Sequence, residues 1–237
     1  MIPKIIHYCW FGRGEMPQLV LDCMASWHKY MPDWEYMVWN EDNFDIEANQ
    51  YVRDAYESRK FAFVSDCARL YALQKFGGVY LDTDVEVLKP LDDLLDYEAF
   101  IGYEGSKHTP LGTSTIGSVP EGIWVGRQLK RYDNRCFLDG NGSMDLTTNV
   151  TFITQDMIER GLVCDGAECD FDGIHIFPVE YFCPRQTTGE YFYSKNTYCD
   201  HKGLASWESG RHIPMLLRLV GPKTKIKLIK LKRRLIG

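Results

Sequence analysis

The sequence predicts an α/β fold, a mixed central sheet flanked by helices in a single domain, on three observations. Short β-branched and aromatic runs alternate with helical patterns over the first 90 residues, in the order β-α-β-α-α-β. The best-defined helix ends on a glycine pair that leads directly into a buried apolar run, "GGVYLD" at 77–82. Apolar residues make up 45% and aromatic ones 14% of 237 residues, enough to build a substantial core.

The elements follow in order. "PKIIHYCWF" reads as a first strand closed by the glycine-bearing loop "GRGEMP". From Pro17, Leu19, Val20, Cys23, Met24, Trp27 and Met31 keep helical spacing. "WEYMVW" is a strand ended by the polar turn "NEDN", and a second helix is expected over 46–57. The third helix spans 61–76, with Gly77-Gly78 at its C-terminus and "VYLD" as the next strand. After Pro90, strands are expected at "AFIGYE", "STIGS" and "IHIFPV" and helices near 121–132 and 150–160. Loops rich in Gly and Asp are expected at 139–145 and 165–173. No repeat or low-complexity linker breaks residues 1–222, read as one domain, with 223–237 as a basic tail.

Charge and cysteine content narrow the classes. The net charge is −6, yet the tail "KTKIKLIKLKRRLIG" holds seven Lys/Arg and no acid. The remainder carries 20 basic against 33 acidic residues, a balance of −13 that argues against nucleic acid as a partner. A basic tail interleaved with Ile and Leu suits an anionic membrane surface or a solvated last helix. No apolar run reaches the ~18 residues of a membrane span. The start lacks the basic and long apolar regions of a signal peptide, so a cytoplasmic location is expected, peripheral on the inner membrane face if the tail tethers the chain. Eight cysteines with no CxxC spacing read as reduced, mostly buried thiols, with zinc binding the less favoured alternative.

The chemistry concentrates around "YLDTDV". In an extended chain Asp82 and Asp84 would project to one side from the end of a buried strand, where open α/β sheets bind ligands. Two carboxylates so close imply either a cation between them or screening by water; if a cation, hard oxygen ligands select Mg²⁺ or Mn²⁺ with positions left for substrate phosphates. In the preceding helix Asp66 and Arg69 are i,i+3 neighbours, readable either as a surface ion pair or as ligands for sugar hydroxyls and phosphate. Thr147, Thr148 and Asn149 read either as acceptor contacts or as the cap of the helix that follows.

"IPKIIHYCWFG" followed by "SDCARLYALQKFGGVYLDTDV" resembles glycosyltransferase family 32, the group of yeast-type mannosyltransferases and capsular-polysaccharide enzymes, distantly related to the clostridial glucosylating toxins. The resemblance covers roughly residues 1–105 and thins to "TYCDHKGLASW" near the C-terminus. It implies a GT-A nucleotide-sugar-binding domain and a metal-dependent retaining sugar transfer, with Mn²⁺ or Mg²⁺, in surface polysaccharide synthesis. A UDP-sugar is favoured over GDP-mannose as donor, and the acceptor is a glycan or lipid-linked glycan. On this resemblance Trp10 stacks on the donor base, Ser65, Asp66 and Arg69 contact the donor, and Tyr80 lies beside the diphosphate or sugar. Asp82 contacts ribose and metal, Asp84 ligates the metal and His201 is its C-terminal partner, while Ser206 and Trp207 close over the phosphates. Ser206 and Trp207 are adjacent here, whereas the toxin-like pattern spaces them apart. His7, His108, His175 and His212 are assigned no function. Two rivals are a haloacid-dehalogenase-type phosphatase, whose DxD motif belongs near the N-terminus, and a non-catalytic nucleotide-sugar or glycan-binding module.

Overall fold

The computed structural model describes residues 1–105, 110–185 and 191–203. Ser206, Trp207, His108, His212 and the tail 223–237 lie outside the described residues.

The predicted strands assemble into one mixed sheet. β1 (Ile5–Cys9) pairs in parallel with β2 (Glu35–Trp39) on one side and β3 (Gly78–Leu81) on the other. β3 pairs antiparallel with β6 (Leu111–Ser118), which pairs antiparallel with β5 (Ala99–Tyr103). β5 runs parallel to β8 (Ile174–Phe177), and β7 (Cys169–Phe171) closes the edge, giving the order β2-β1-β3-β6-β5-β8-β7. Two reversals at β6 leave β1, β3, β5 and β8 pointing the same way. Their carboxyl ends share one rim of the sheet.

Among the described residues, five α-helices cover the sheet: α1 (Gln18–Tyr30), α2 (Gln50–Glu57), α3 (Phe61–Phe76), α4 (Ile123–Lys130) and α5 (Asn149–Glu159). One core cluster centres on α3, with Val64, Leu70 and Leu73 against Tyr80, Ile101 and Ile116. A second, with Trp27 of α1, packs Ile6, Val79, Val85 and Phe100. α3 is buried nearly all round, including Asp66 and Arg69, so its polar residues are interior groups.

The glycine pair has a steric reason. Gly77 (φ 63°) donates its N–H to Leu73 O as the C-cap of α3, and Gly78 (φ 103°) lets β3 approach β1. A Cβ at Gly78 would lie 2.6 Å from Ile5 O. The Gly77 carbonyl receives a 2.7 Å bond from buried His7 Nε2, while Trp39 Nε1 donates to His7 Nδ1 at 3.1 Å. His7 is thereby a neutral structural histidine, and burial pushes its pKa down to about 4.

Three expectations are corrected. α2 begins at Gln50 because Asn49 caps it, its side chain accepting from Val52 N–H. The 165–173 loop contains β7, joined to β8 by Asp172-Gly173, both at positive φ, the signature of a two-residue hairpin turn. The DTD segment is a turn rather than an extended strand end: Val85 N–H bonds Asp82 O at 3.0 Å. β4 (Val85–Val87) follows at once and pairs antiparallel with β9 (Cys199–His201), with Val85 opposite His201.

Candidate active site

The site forms at the rim where β1, β3 and β5 end. Asp82 is fixed as it leaves β3: its backbone N–H bonds Ser114 O at 2.8 Å and its Oδ1 accepts from Tyr80 Oη at 2.8 Å. The turn then brings Asp84 round to the same side, and the β4–β9 ribbon delivers His201 opposite, its Nε2 3.4 Å from Asp84 Oδ1. One ligand atom from each of Asp82, Asp84 and His201 lies within 4.8 Å of the other two. Two carboxylates and one imidazole at this spacing fit a hard divalent cation. Burial opposes the charge on His201, but bonding to Asp84 and Cys183 holds its pKa well above the ordinary value. A proton on His201 offsets the local negative charge that a metal ion could offset instead.

Arg69 organises the second layer. Its Nη2 lies 3.0 Å from Asp66 Oδ1 and its Nη1 3.3 Å from Asp82 Oδ1, with side-chain exposures of 6%, 10% and 26% for Arg69, Asp66 and Asp82. Nη1 also donates to Thr113 O at 2.7 Å, and the guanidinium sits 4.5 Å from the Tyr80 ring centre. The exposed ion pair considered from sequence is therefore a buried one, and Arg69 is largely occupied by protein acceptors. Burial raises the Asp66 pKa to about 6, against the pull of Arg69 and of a hydrogen bond from the Asn149 backbone. Ser65 Oγ turns back to Phe61 O at 3.1 Å. Trp10 follows β1 at the same rim, partly exposed, with Nε1 donating to Gly14 O at 2.7 Å.

Two residues at the rim were missed by sequence reasoning. Glu104 directly follows β5, and Cys183 follows β8 through a short loop; each groups with His201. Burial raises the Glu104 pKa. The strand-end rule that singled out Asp82 applies equally to the last letter of "AFIGYE", whereas nothing in the sequence marks Cys183. Thr148 takes its capping reading: its Oγ1 accepts from Thr151 N–H at the start of α5.

Residues 17–101 match the family model described as the glycosyltransferase sugar-binding region containing the DXD motif. Over that segment the chain is similar to the DXD glycosyltransferases. The matched stretch holds Ser65, Asp66, Arg69, Tyr80, Asp82 and Asp84, and leaves Trp10 and His201 outside. Mannosyl phosphorylinositol ceramide synthase SUR1 of Saccharomyces cerevisiae is 31% identical over 147 residues, 58% of this chain and 37% of that protein. Inositol phosphoceramide mannosyltransferase 3 of Schizosaccharomyces pombe is 35% identical over 104 residues, 42% of this chain and 29% of the relative. The matches thus span little more than a third of these curated relatives at most. The fold is similar to PaToxG glycosyltransferase (TM-score 0.50, 14% identity, 68% of this chain and 70% of that one). It is also similar to a glycosyltransferase involved in glycosylation of the major capsid of PBCV-1 (TM-score 0.50, 11% identity, 86% and 95%). The architecture is accordingly the GT-A type.

Proposed function

We propose that this chain transfers a sugar from a nucleotide-diphosphate donor to a hydroxyl acceptor, with a divalent cation held by Asp82, Asp84 and His201. The observation that carries this reading is the convergence of these three side chains at the strand-end rim, within the DXD family match. Such a cation would offset the charge on the leaving diphosphate. The chain's own residues do the positioning. Arg69 and Tyr80 hold Asp82 in one orientation, and Asp66, at the edge of the same cluster, is the candidate acceptor for a sugar hydroxyl. Arg69 is assigned to orienting these carboxylates, with its charge acting on the diphosphate through space. Trp10 is the candidate stacking surface for the donor base, Ser65 a further donor contact, and Ser206 and Trp207 the candidate phosphate closure. Transfer with retention of configuration follows from the family resemblance.

The names of the two yeast relatives specify mannose as the sugar moved and a ceramide-bearing acceptor. That draws the donor toward a mannose nucleotide beside the UDP-sugar favoured from sequence, and supports a lipid-linked acceptor; a glycan acceptor and a role in surface polysaccharide synthesis rest on the family resemblance alone. The basic tail 223–237, interleaved with Ile and Leu, is the proposed membrane contact; no helix among the described residues is long and apolar enough to cross a membrane. The phosphatase reading gains no observation in its favour.

Asp84→Asn tests the proposal. Turnover of sugar nucleotide should fall by orders of magnitude while far-ultraviolet circular dichroism stays native. Turnover close to wild type would end the metal role of Asp84.

A further inference from the structure

The metal cluster has a second side with a different chemistry. Glu104, Cys183 and His201 also place one ligand atom each within 4.8 Å of one another, so His201 belongs to two triads. The first offers carboxylate oxygens; the second offers a thiol sulfur, an imidazole nitrogen and a carboxylate oxygen. We propose that Glu104, Cys183 and His201 form a Zn²⁺ site that opposes occupancy of the neighbouring Asp82–Asp84 site.

The donor set is the argument. Thiolate, imidazole and carboxylate together suit Zn²⁺ in four-coordinate geometry, whereas Mg²⁺ and Mn²⁺ favour oxygen-rich sites. Zinc bonds of about 2.0–2.3 Å put tetrahedral donors roughly 3.3–3.8 Å apart, so these atoms, all within 4.8 Å of one another, need to close by at most about 1–1.5 Å.

Backbone hydrogen bonds fix all three residues, Cys183 through its N–H to Val179 O at 2.9 Å. Glu104 N–H bonds Pro110 O at 2.9 Å, and its carboxylate lies over Gly112, where a Cβ would come within 3.1 Å of Oε2. His201 N–H bonds Phe182 O at 3.3 Å, tying β9 to the residue before Cys183. Cys183 is 5% exposed, with Ser114 Oγ 3.6 Å from its sulfur. On binding, Zn²⁺ forms a bond to sulfur and the thiol proton leaves to solvent. The pairing is invisible in sequence because the cysteines lack zinc-type spacing; the fold assembles the triad from residues 18 and 79 positions apart.

Sharing His201 makes the two ions antagonistic. If one nitrogen serves both, occupancy is exclusive; if the ring bridges, two dications across one imidazole repel. The site rests on geometry independent of the transfer reaction, while the antagonism rests on the proposed Asp82–Asp84 metal.

Metal-free full-length protein titrated with Co²⁺ should develop a near-ultraviolet thiolate charge-transfer band that added Zn²⁺ removes. Cys183→Ala should lack the band and bind Zn²⁺ at least about tenfold more weakly. Glu104→Gln keeps the thiol and should retain the band with weaker Zn²⁺ binding. Asp84→Asn should keep the band, which separates this site from the proposed hard-metal site. Absence of a band in wild type, or its persistence in Cys183→Ala, overturns the zinc site. Zn²⁺ should also raise the Mn²⁺ concentration needed for nucleotide-dependent thermal stabilisation; an unchanged requirement overturns the antagonism.

Discussion

Asp66→Asn should make the protein more stable at pH 8 while removing sugar transfer. Asp66 is 7% exposed, and burial raises its pKa from 3.8 to about 6 even with Arg69 beside it. A carboxyl whose folded pKa is raised is favoured when protonated. Its stabilising contribution is complete below 3.8 and is lost as pH rises through about 6. The gap corresponds to about 3 kcal/mol at pH 8, the cost of keeping the buried charge relative to a neutral group. Asparagine has nearly the same shape and no charge, so the variant should recover most of that energy. For a chain of this size the gain corresponds to roughly 6–12 °C in Tm. Urea unfolding of both proteins at pH 8 and pH 4.5 measures it. The gain should be large at pH 8 and shrink to about 1 kcal/mol at pH 4.5, where folded wild-type Asp66 is mostly protonated. An equal gain at both values, or destabilisation at pH 8, would refute the reasoning. A stabilising substitution that abolishes turnover would identify Asp66 as a charge retained for function.

Arg69→Met leaves Asp66 and Asp82 facing each other without their shared cation, and should cost about 3–5 kcal/mol in urea unfolding; the double variant with Asp66→Asn should recover part of it. His7 is held neutral between Gly77 O and Trp39 Nε1, with its pKa depressed to about 4. Its contribution is present above 6.5 and lost as pH falls through about 4, so His7→Gln should flatten the stability–pH curve in that window, by up to about 3 kcal/mol in chemical denaturation. Removing residues 223–237 should abolish co-sedimentation with anionic liposomes; equal binding by the two forms would end the tether proposal.

The sheet and its helices were legible because local signals carried them. The "FAFVSDCARLYALQKF" run ended by two glycines gave α3 to the residue, since only glycine tolerates the positive φ at 77 and 78. The hairpin at Asp172-Gly173 was also written in the sequence, as a DG turn between β7 and β8, but short strands in a polar stretch concealed it. The β4–β9 ribbon was not legible: two three-residue strands more than 110 positions apart carry no local signal, and their pairing places His201 against Asp84. Asp66 and Arg69 were legible as a pair but not as a buried one. Helical spacing identifies a neighbour, whereas burial depends on Thr113, Tyr80 and Asp82 arriving from other strands.

The central claim is that Asp82, Asp84 and His201 hold a cation that binds a sugar nucleotide. It is tested most directly by thermal melting with UDP, GDP and CDP, each with and without Mn²⁺, on wild type and Asp84→Asn. At 100 times Kd a ligand adds about 2.7 kcal/mol, several degrees in Tm. The account predicts a shift for one nucleotide that requires Mn²⁺ and disappears in Asp84→Asn. No shift with any pair, or one that survives in Asp84→Asn, would contradict it.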